Sequence, residues 1–238
     1  DKNQEDFHKD FSALTTDIGT VDYIEGLEYK LANSIWAEKT YKFSKDYFDL
    51  LKTNYHSEVN IVPFSSKPEK ARTKINKWVA EKTKNKIEEL LKKESIDAGT
   101  ILVLVNALYF HGQWEHKFLK EKTYQVKFKL ENGEEVTDFM HQNRKFKYYE
   151  DKVLQMVELP YKGERLSMVV ILPKTNARIE HFAKAFTYNK YSESLKGLHE
   201  AKVDISLPRF KFDSDFELQT TLADMGMKNC VSYDKNFS

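Results

Sequence analysis

The sequence predicts an α+β fold, with large, mostly antiparallel sheets and helices around them. Three observations carry that expectation. Helical and strand-like periodicities follow one another irregularly along the 238 residues, without the βαβ alternation of a parallel sheet. The run "ILVLVNALYF" (Ile101 to Phe110) is apolar on both alternating faces, the pattern of a strand buried on two sides. Two pairs of strand-like runs are joined by short turns, at Asn132-Gly133 and at Lys162-Gly163, as antiparallel hairpins are.

The elements follow in order. Residues 1–238 read as a single domain, since five prolines and eight glycines are spread along a chain without repeats, low-complexity tracts or a linker. Leu27 to Thr40 alternates as a strand, with Tyr29, Leu31 and Ile35 on one face. "SKDYFDLLKTNY" is a short amphipathic helix with Ser44 as its N-cap. "SKPEKARTKINKWVAEKTKNK" is the clearest helix. Ser66 and Glu69 have capping-box spacing, and Pro68 falls in the first turn, where its missing N–H costs nothing. Ile75, Trp78, Val79 and Thr83 form its stripe, and Asn85 suits a left-handed cap. "YQVKFKL" and "EVTDFM" make the first hairpin, and "KVLQMVELP" and "LSMVVILP" the second. Helical segments are expected near Ile179 to Phe186 and Asn189 to Gly197. "KVDISLPRFKF" is a strand that Pro208 turns into an edge, an end or a bulge, and "DFELQTTLADMGM" closes with a short helix that has Gly226 past its end.

Composition narrows the function. Hydrophobic residues at 40% are enough for a sizeable core, while charge is dense (32%) yet balanced to a net +1. That balance argues against nucleic acid or a membrane surface as partner. The single cysteine, Cys230, excludes an internal disulfide and a cysteine-built zinc site, and leaves the redox compartment open. No apolar run reaches membrane-span length. "DKNQEDFHKDF" has neither the basic nor the apolar region of a signal peptide, and Asp1 is not expected to be the natural start.

Chemistry-bearing motifs are scarce. In "VNALYFHGQWEHKF", His111, Glu115 and His116 have the spacing H-x-x-x-E-H, whereas a helical zinc pair needs His at i and i+4. They read as polar residues where a strand emerges into solvent, and no metal is expected. Neither G-x-S-x-G, G-x-G-x-x-G nor a phosphate loop occurs. Cys230 reads as an inert thiol ahead of a nucleophile. Lys67, Lys70, Lys74, Lys77, Lys82, Lys84 and Lys86 read as a solvated helix face ahead of an anion site. Asn236-Phe237-Ser238 is a glycosylation sequon. Asn106 interrupts the most apolar strand, on the face of Leu102, Leu104, Leu108 and Phe110, and a buried amide left without partners costs about 1–3 kcal/mol. The residues leave open whether it is a satisfied core amide or has a specific role. No enzyme active site and no cofactor requirement is visible.

"LVLVNALYFHGQWEHKF" resembles the signature of the serpins around the third strand of their central sheet A. "KINKWVAEKTKNKIEELL" resembles their helix F and the turn beyond, on Asn76, Trp78, Val79, Thr83, Lys86 and Ile87; Asn85 departs from the family's usual residue there. "LPYKGERLSMVVILP" is similar to the sheet B hairpin, "LANSIWAEKTYKF" to the second strand of sheet A, and "LPRFKF" with "LADMGM" to the strand and helix preceding the reactive loop. These blocks stand in serpin order over nearly the whole chain.

The resemblance implies a serine protease inhibitor that is no enzyme. A reactive loop is cleaved as bait, the target protease becomes acyl-linked, and the loop inserts into sheet A, releasing the strain of a metastable fold. It implies a conformational switch at Asn106, in the shutter under the centre of sheet A, and at Trp114, near the breach where the loop first enters. The reactive site is expected C-terminal to Ser238, so the chain reads as an internal fragment that also lacks the family's first helices. A monomeric, extracellular protein is implied, with an intracellular branch as the alternative. Glycosaminoglycan activation is not implied, because "HKDFSALTTDI", where the family's helix D should fall, carries only Lys9. A non-inhibitory serpin (carrier, storage protein or chaperone) and an inhibitor of cysteine proteases are the alternatives.

Overall fold

The computed structural model describes residues 3–130, 133–174, 179–212 and 219–226. In chain order the elements are α1 (Gln4–Gly19), β1 (Leu27–Glu38), α2 (Lys45–Tyr55), β2 (Glu58–Val62), α3 (Pro68–Lys82) and β3 (Leu102–Gly112). There follow β4 (Thr123–Leu130), β5 (Gly133–Glu150), β6 (Leu154–Pro160), β7 (Ser167–Pro173), α4 (Ile179–Ala185), α5 (Tyr188–Lys196), β8 (His199–Pro208) and α6 (Gln219–Asp224). They divide into two compact units, Asp1–Phe118 with Asn143–Val203 and Leu119–Gln142 with Asp204–Ser238, and β5 and β8 each run through both.

The first unit is built on a sheet of order β2-β1-β3. β1 is central, parallel to β2 and antiparallel to β3, in register from Leu27 opposite Gly112 to Ala37 opposite Leu102. α3 packs on one face. Its Ala71, Ile75, Trp78 and Val79 form a continuous core with Trp36, Val62, Phe64, Val105 and Ala107. This is the stripe that the 3.6-residue period predicts, and Thr83 is buried with it.

The ends of α3 show where local rules compete. The N-cap is Lys67 and makes no side-chain cap bond, so the expected Ser66–Glu69 capping box does not form. Pro68 disfavours helical geometry in the residue before it, so Lys67 is held at φ −145°, ψ 58° and the helix starts at Pro68. Glu69 instead pairs with Arg72. The left-handed exit is as expected, with Lys84 and Asn85 at φ 50° and 57° and the Asn85 N–H donating to Ala80 O at 2.7 Å. Ser44 precedes α2 as expected but its side chain caps nothing.

β3 departs most from expectation. Val105 and Ala107 are buried beneath α3, but the alternate face of Leu104, Asn106, Leu108 and Phe110 is exposed among the described residues, Leu104 at 62% and Leu108 at 51%. Among the described residues β3 is therefore covered on one side, and Asn106 is exposed where the sequence pattern placed a buried amide. An apolar pattern reports which faces avoid water; it does not say what covers them.

Also in this unit, β6 and β7 form the expected hairpin from Leu154 opposite Pro173 to Pro160 opposite Ser167, and the end of β5 pairs with β6. Thr187 caps α5 through Lys190 N–H. In the second unit β4 and β5 pair from Thr123 opposite Met140 to Leu130 opposite Gly133; Asn132 of the expected turn lies outside the described residues. β8 ends at Pro208, and α6 is followed by Gly226 at φ 109°.

Candidate functional site

Two polar constructions lie along β3. At the first, Asn33 of β1 and Asn106 of β3 stand directly opposite each other. Asn106 Nδ2 donates to Asn33 Oδ1 at 2.7 Å, and Asn33 Nδ2 donates to the Tyr55 carbonyl at 2.8 Å. The second bond fixes which way the Asn33 amide faces: with its nitrogen committed to α2, only its oxygen is left for Asn106. Asn106 thus has a role defined by a partner, though an exposed one. Asn33 was not singled out from the sequence, yet the signal was present in "LAN" and "VNA", each an amide inside an apolar strand.

Beneath the sheet the face is buried and aromatic. Trp36 and Trp78 meet edge-to-face at 6.4 Å, and Trp36 Nε1 donates to Ser34 Oγ at 2.8 Å. Trp78 Nε1 donates to Glu58 Oε2 at 2.8 Å, and Lys82 reaches Glu58 Oε1 at 2.6 Å. Lys82 foremost, with Trp78 adding to it, holds the Glu58 carboxyl below its usual range.

The second construction is at Trp114, just past the end of β3. Its ring stacks on Tyr161 at 4.7 Å and 9°, and both belong to a cluster with Val21, Leu27 and Met168. Backbone bonds tie the same segment down: Gln113 N–H to Gly26 O, Glu115 N–H to Pro160 O, and Lys162 N–H to Gln113 O. The Glu115 carboxylate accepts the Gly163 N–H at 2.9 Å, which with the nearby Lys162 ammonium holds its pKa below the ordinary value. Burial pushes the Tyr161 phenol up. Gly112 is needed here because a Cβ would lie 2.7 Å from both Phe110 Cζ and Tyr161 Cδ1. Gly163, at φ 76° and against Ile24, allows the turn to close.

Asn106 and Trp114 are not brought together. They stand eight positions apart in the chain, about 25 Å if extended, so they mark two points along one strand and not one pocket. His111, Glu115 and His116 are likewise dispersed: His111 is exposed, Glu115 is committed to Gly163 and Lys162, and His116 lies against the Phe146 ring. Among the described residues no cluster of three or more His, Cys, Asp or Glu side chains is placed to hold a metal ion. Of the lysines on and after α3, Lys77, Lys82 and Lys84 pair with Glu81, Glu58 and Glu28, and Lys74 lies over the Trp36 ring. Cys230 and the sequon at Asn236 lie outside the described residues.

Sequence reasoning missed Glu38 altogether. It is buried at the end of β1, where its carboxylate accepts from Thr40 N–H, Thr40 Oγ1, Ser65 N–H and Ser65 Oγ at 2.7–3.0 Å. These donors, Ser65 N–H foremost, lower its pKa to about 2. It fastens β1 to the segment leading into α3, and nothing in the local pattern "WAEKT" distinguishes it from a surface glutamate.

The comparisons with known proteins agree with this architecture. A family model described as Serpin (serine protease inhibitor) matches residues 1–238. Serpin B3 of Homo sapiens is 39% identical over 97% of this chain and 60% of its own length. The leukocyte elastase inhibitor of Equus caballus is also 39% identical, over 97% of this chain and 63% of its own. Emu ovalbumin superposes with a TM-score of 0.89 at 29% identity, covering 94% of this chain and 59% of that one. A loop-inserted, cleaved ovalbumin mutant superposes at 0.83 with 27% identity, over 93% and 58%. The chain belongs to the serpin family, and it spans about three-fifths of the length of these relatives. The names of these relatives do not support the extracellular placement expected from the sequence. No helix among the described residues is long and apolar enough to cross a membrane.

Proposed function

We propose that the full-length protein inhibits serine proteases as a suicide substrate, by inserting a cleaved reactive loop, expected C-terminal to Ser238, beside β3. The observation that carries this reading is the match of residues 1–238 to the serpin family model, with β3 in the sheet that the family's loop enters. Among the described residues β3 pairs with β1 alone, and in this reading the inserted loop becomes a neighbour on the side away from β1. In this reading the protease supplies the chemistry. Its serine oxygen attacks the loop's scissile carbonyl, the amine end of the loop leaves, and the acyl ester persists while the inserting strand carries the enzyme away. This chain contributes no catalytic group, and the partner is the target protease, with no nucleic acid or membrane involved.

Asn106 then ties β3 to β1 near the middle of the sheet, holding β3 in place while a strand enters on its other side, and Trp114 lies at the end at which the loop enters. The relatives lend support at the level of their names: one is an elastase inhibitor, and another is a cleaved ovalbumin with its loop inserted. The test is to incubate the full-length protein with elastase-, chymotrypsin- and trypsin-like serine proteases and look for a complex that survives denaturing electrophoresis. A stable complex with one of them is expected. Cleavage without any complex would make the protein a non-inhibitory serpin, and a complex with cysteine proteases alone would make it a cross-class inhibitor.

A further inference from the structure

We propose that β4 is a docking edge for an extended partner segment in which apolar and acidic residues alternate. β4 stands at one end of its sheet, and among the described residues it pairs with β5 alone. A strand in that position carries a row of backbone N–H and C=O groups directed away from its neighbour, and a further chain can pair with them. Proteins commonly keep such strands very short to avoid pairing, whereas β4 runs for 8 residues.

The side chains decide which chain fits. Successive residues of a strand point to opposite faces. Tyr124, Val126, Phe128 and Leu130 share one face of β4, and each is 40–55% exposed. Phe139 of β5 extends that face, its ring 5.8 Å from that of Phe128. A contiguous apolar row of this kind marks a surface that another chain covers. The opposite face carries Thr123, Gln125, Lys127 and Lys129. Lys127 lies 3.2 Å from Glu134 of β5, but both side chains are more than half exposed, and such a pair contributes little. Lys129 pairs with no acid among the described residues, although Glu134 stands opposite it in register. An incoming strand therefore sets every second residue beside the apolar row and the others beside Lys127 and Lys129. Opposite charges facing each other across two strands favour pairing, and like charges oppose it. A second copy of β4 would add two more lysines to that face. The charge that discourages pairing between copies is thus the charge that selects an acidic strand.

The proposal does not draw on the inhibitory reading, and its test involves no protease, so each can fail alone. Three capped heptapeptides are titrated into the full-length protein: one alternating valine with glutamate, one alternating valine with lysine, and one with the same valines and glutamates in two blocks. Amide hydrogen exchange reads where they bind. The valine–glutamate peptide is expected to slow exchange at alternate residues of β4 by about tenfold or more, and to leave β6 and β7 unchanged. The other two peptides should need about tenfold higher concentrations for the same protection. The double variant Lys127→Glu, Lys129→Glu should reverse the preference in favour of the lysine peptide, and Lys129→Glu alone serves if the double variant does not fold. Equal binding of all three peptides, protection elsewhere than β4, or a preference that charge reversal leaves intact overturns the proposal. So does slow exchange along β4 before any peptide is added, which would mean that the full-length protein or a second copy already fills this edge.

Discussion

At Asn33 and Asn106 one carboxamide is committed twice and the other once, and that asymmetry sets what each substitution does. Asn106→Ala deletes one bond to a partner that keeps its hold on Tyr55. Asn33→Ala deletes two, and leaves the Tyr55 carbonyl without its donor. A hydrogen bond contributes about 0.5–1.5 kcal/mol net. Asn106→Ala should therefore cost about 1 kcal/mol and Asn33→Ala about twice that, measured as the shift in denaturant midpoint of the full-length protein. Heating the full-length Asn106→Ala variant should also yield more loop-sheet polymer than wild type, as expected of a sheet in which β3 is held less firmly. Glu38 makes a prediction of a different kind. Its folded pKa of about 2 lies below the ordinary 4.5, so the folded state binds fewer protons than the unfolded one in that interval. The stability it contributes is complete above about pH 4.5 and disappears as pH falls through about 2. Wild type should lead Glu38→Gln at neutral pH, and the lead should close within that window in a series of unfolding titrations. A constant gap would mean that the Thr40 and Ser65 donors do not act on the ionised form.

At the scale of elements, α3 and the end of β3 are the parts that packing defines most sharply. Ile75 is fully buried in the core between α3 and the sheet, and Ile75→Ala should cost about 2–5 kcal/mol in chemical unfolding. Gly112→Ala places a methyl group against the rings of Phe110 and Tyr161, so one of them must move. A cost of about 1–3 kcal/mol is expected, with a changed emission from Trp114, which stacks on Tyr161. These are also the elements that the sequence announces best, because α3 carries its own periodicity, first-turn proline and left-handed exit. What periodicity could not supply is coverage. Ile101 to Phe110 is apolar on both faces, yet only the Val105 and Ala107 face meets α3 among the described residues. Nor could it supply partners distant in sequence. Asn33 to Asn106 spans 73 positions and Glu38 to Ser65 spans 27, distances over which no local pattern carries information. The capping box failed for a local reason, the proline next to it.

For the whole molecule, the chain belongs to the serpin family, and the proposed mechanism requires that β3, paired with β1 alone among the described residues, receive a further strand. We expect the two compact units to belong to one serpin domain. Unfolding of the full-length protein followed by near- and far-ultraviolet circular dichroism should then give coincident transitions, and separated ones would count against a single domain. The central claim is that β3 accepts a new neighbour when the reactive loop is cut, and one measurement addresses it directly. Hydrogen exchange is compared over Leu102 to Gly112 in the intact full-length protein and after limited cleavage of its loop. If the loop inserts, amides on the side of β3 away from β1 gain partners in the new strand and exchange slows by orders of magnitude, since their opening then requires the whole enlarged sheet to part. If exchange in β3 is the same before and after cleavage, no strand has entered beside it, and the trapping mechanism proposed for this protein is wrong.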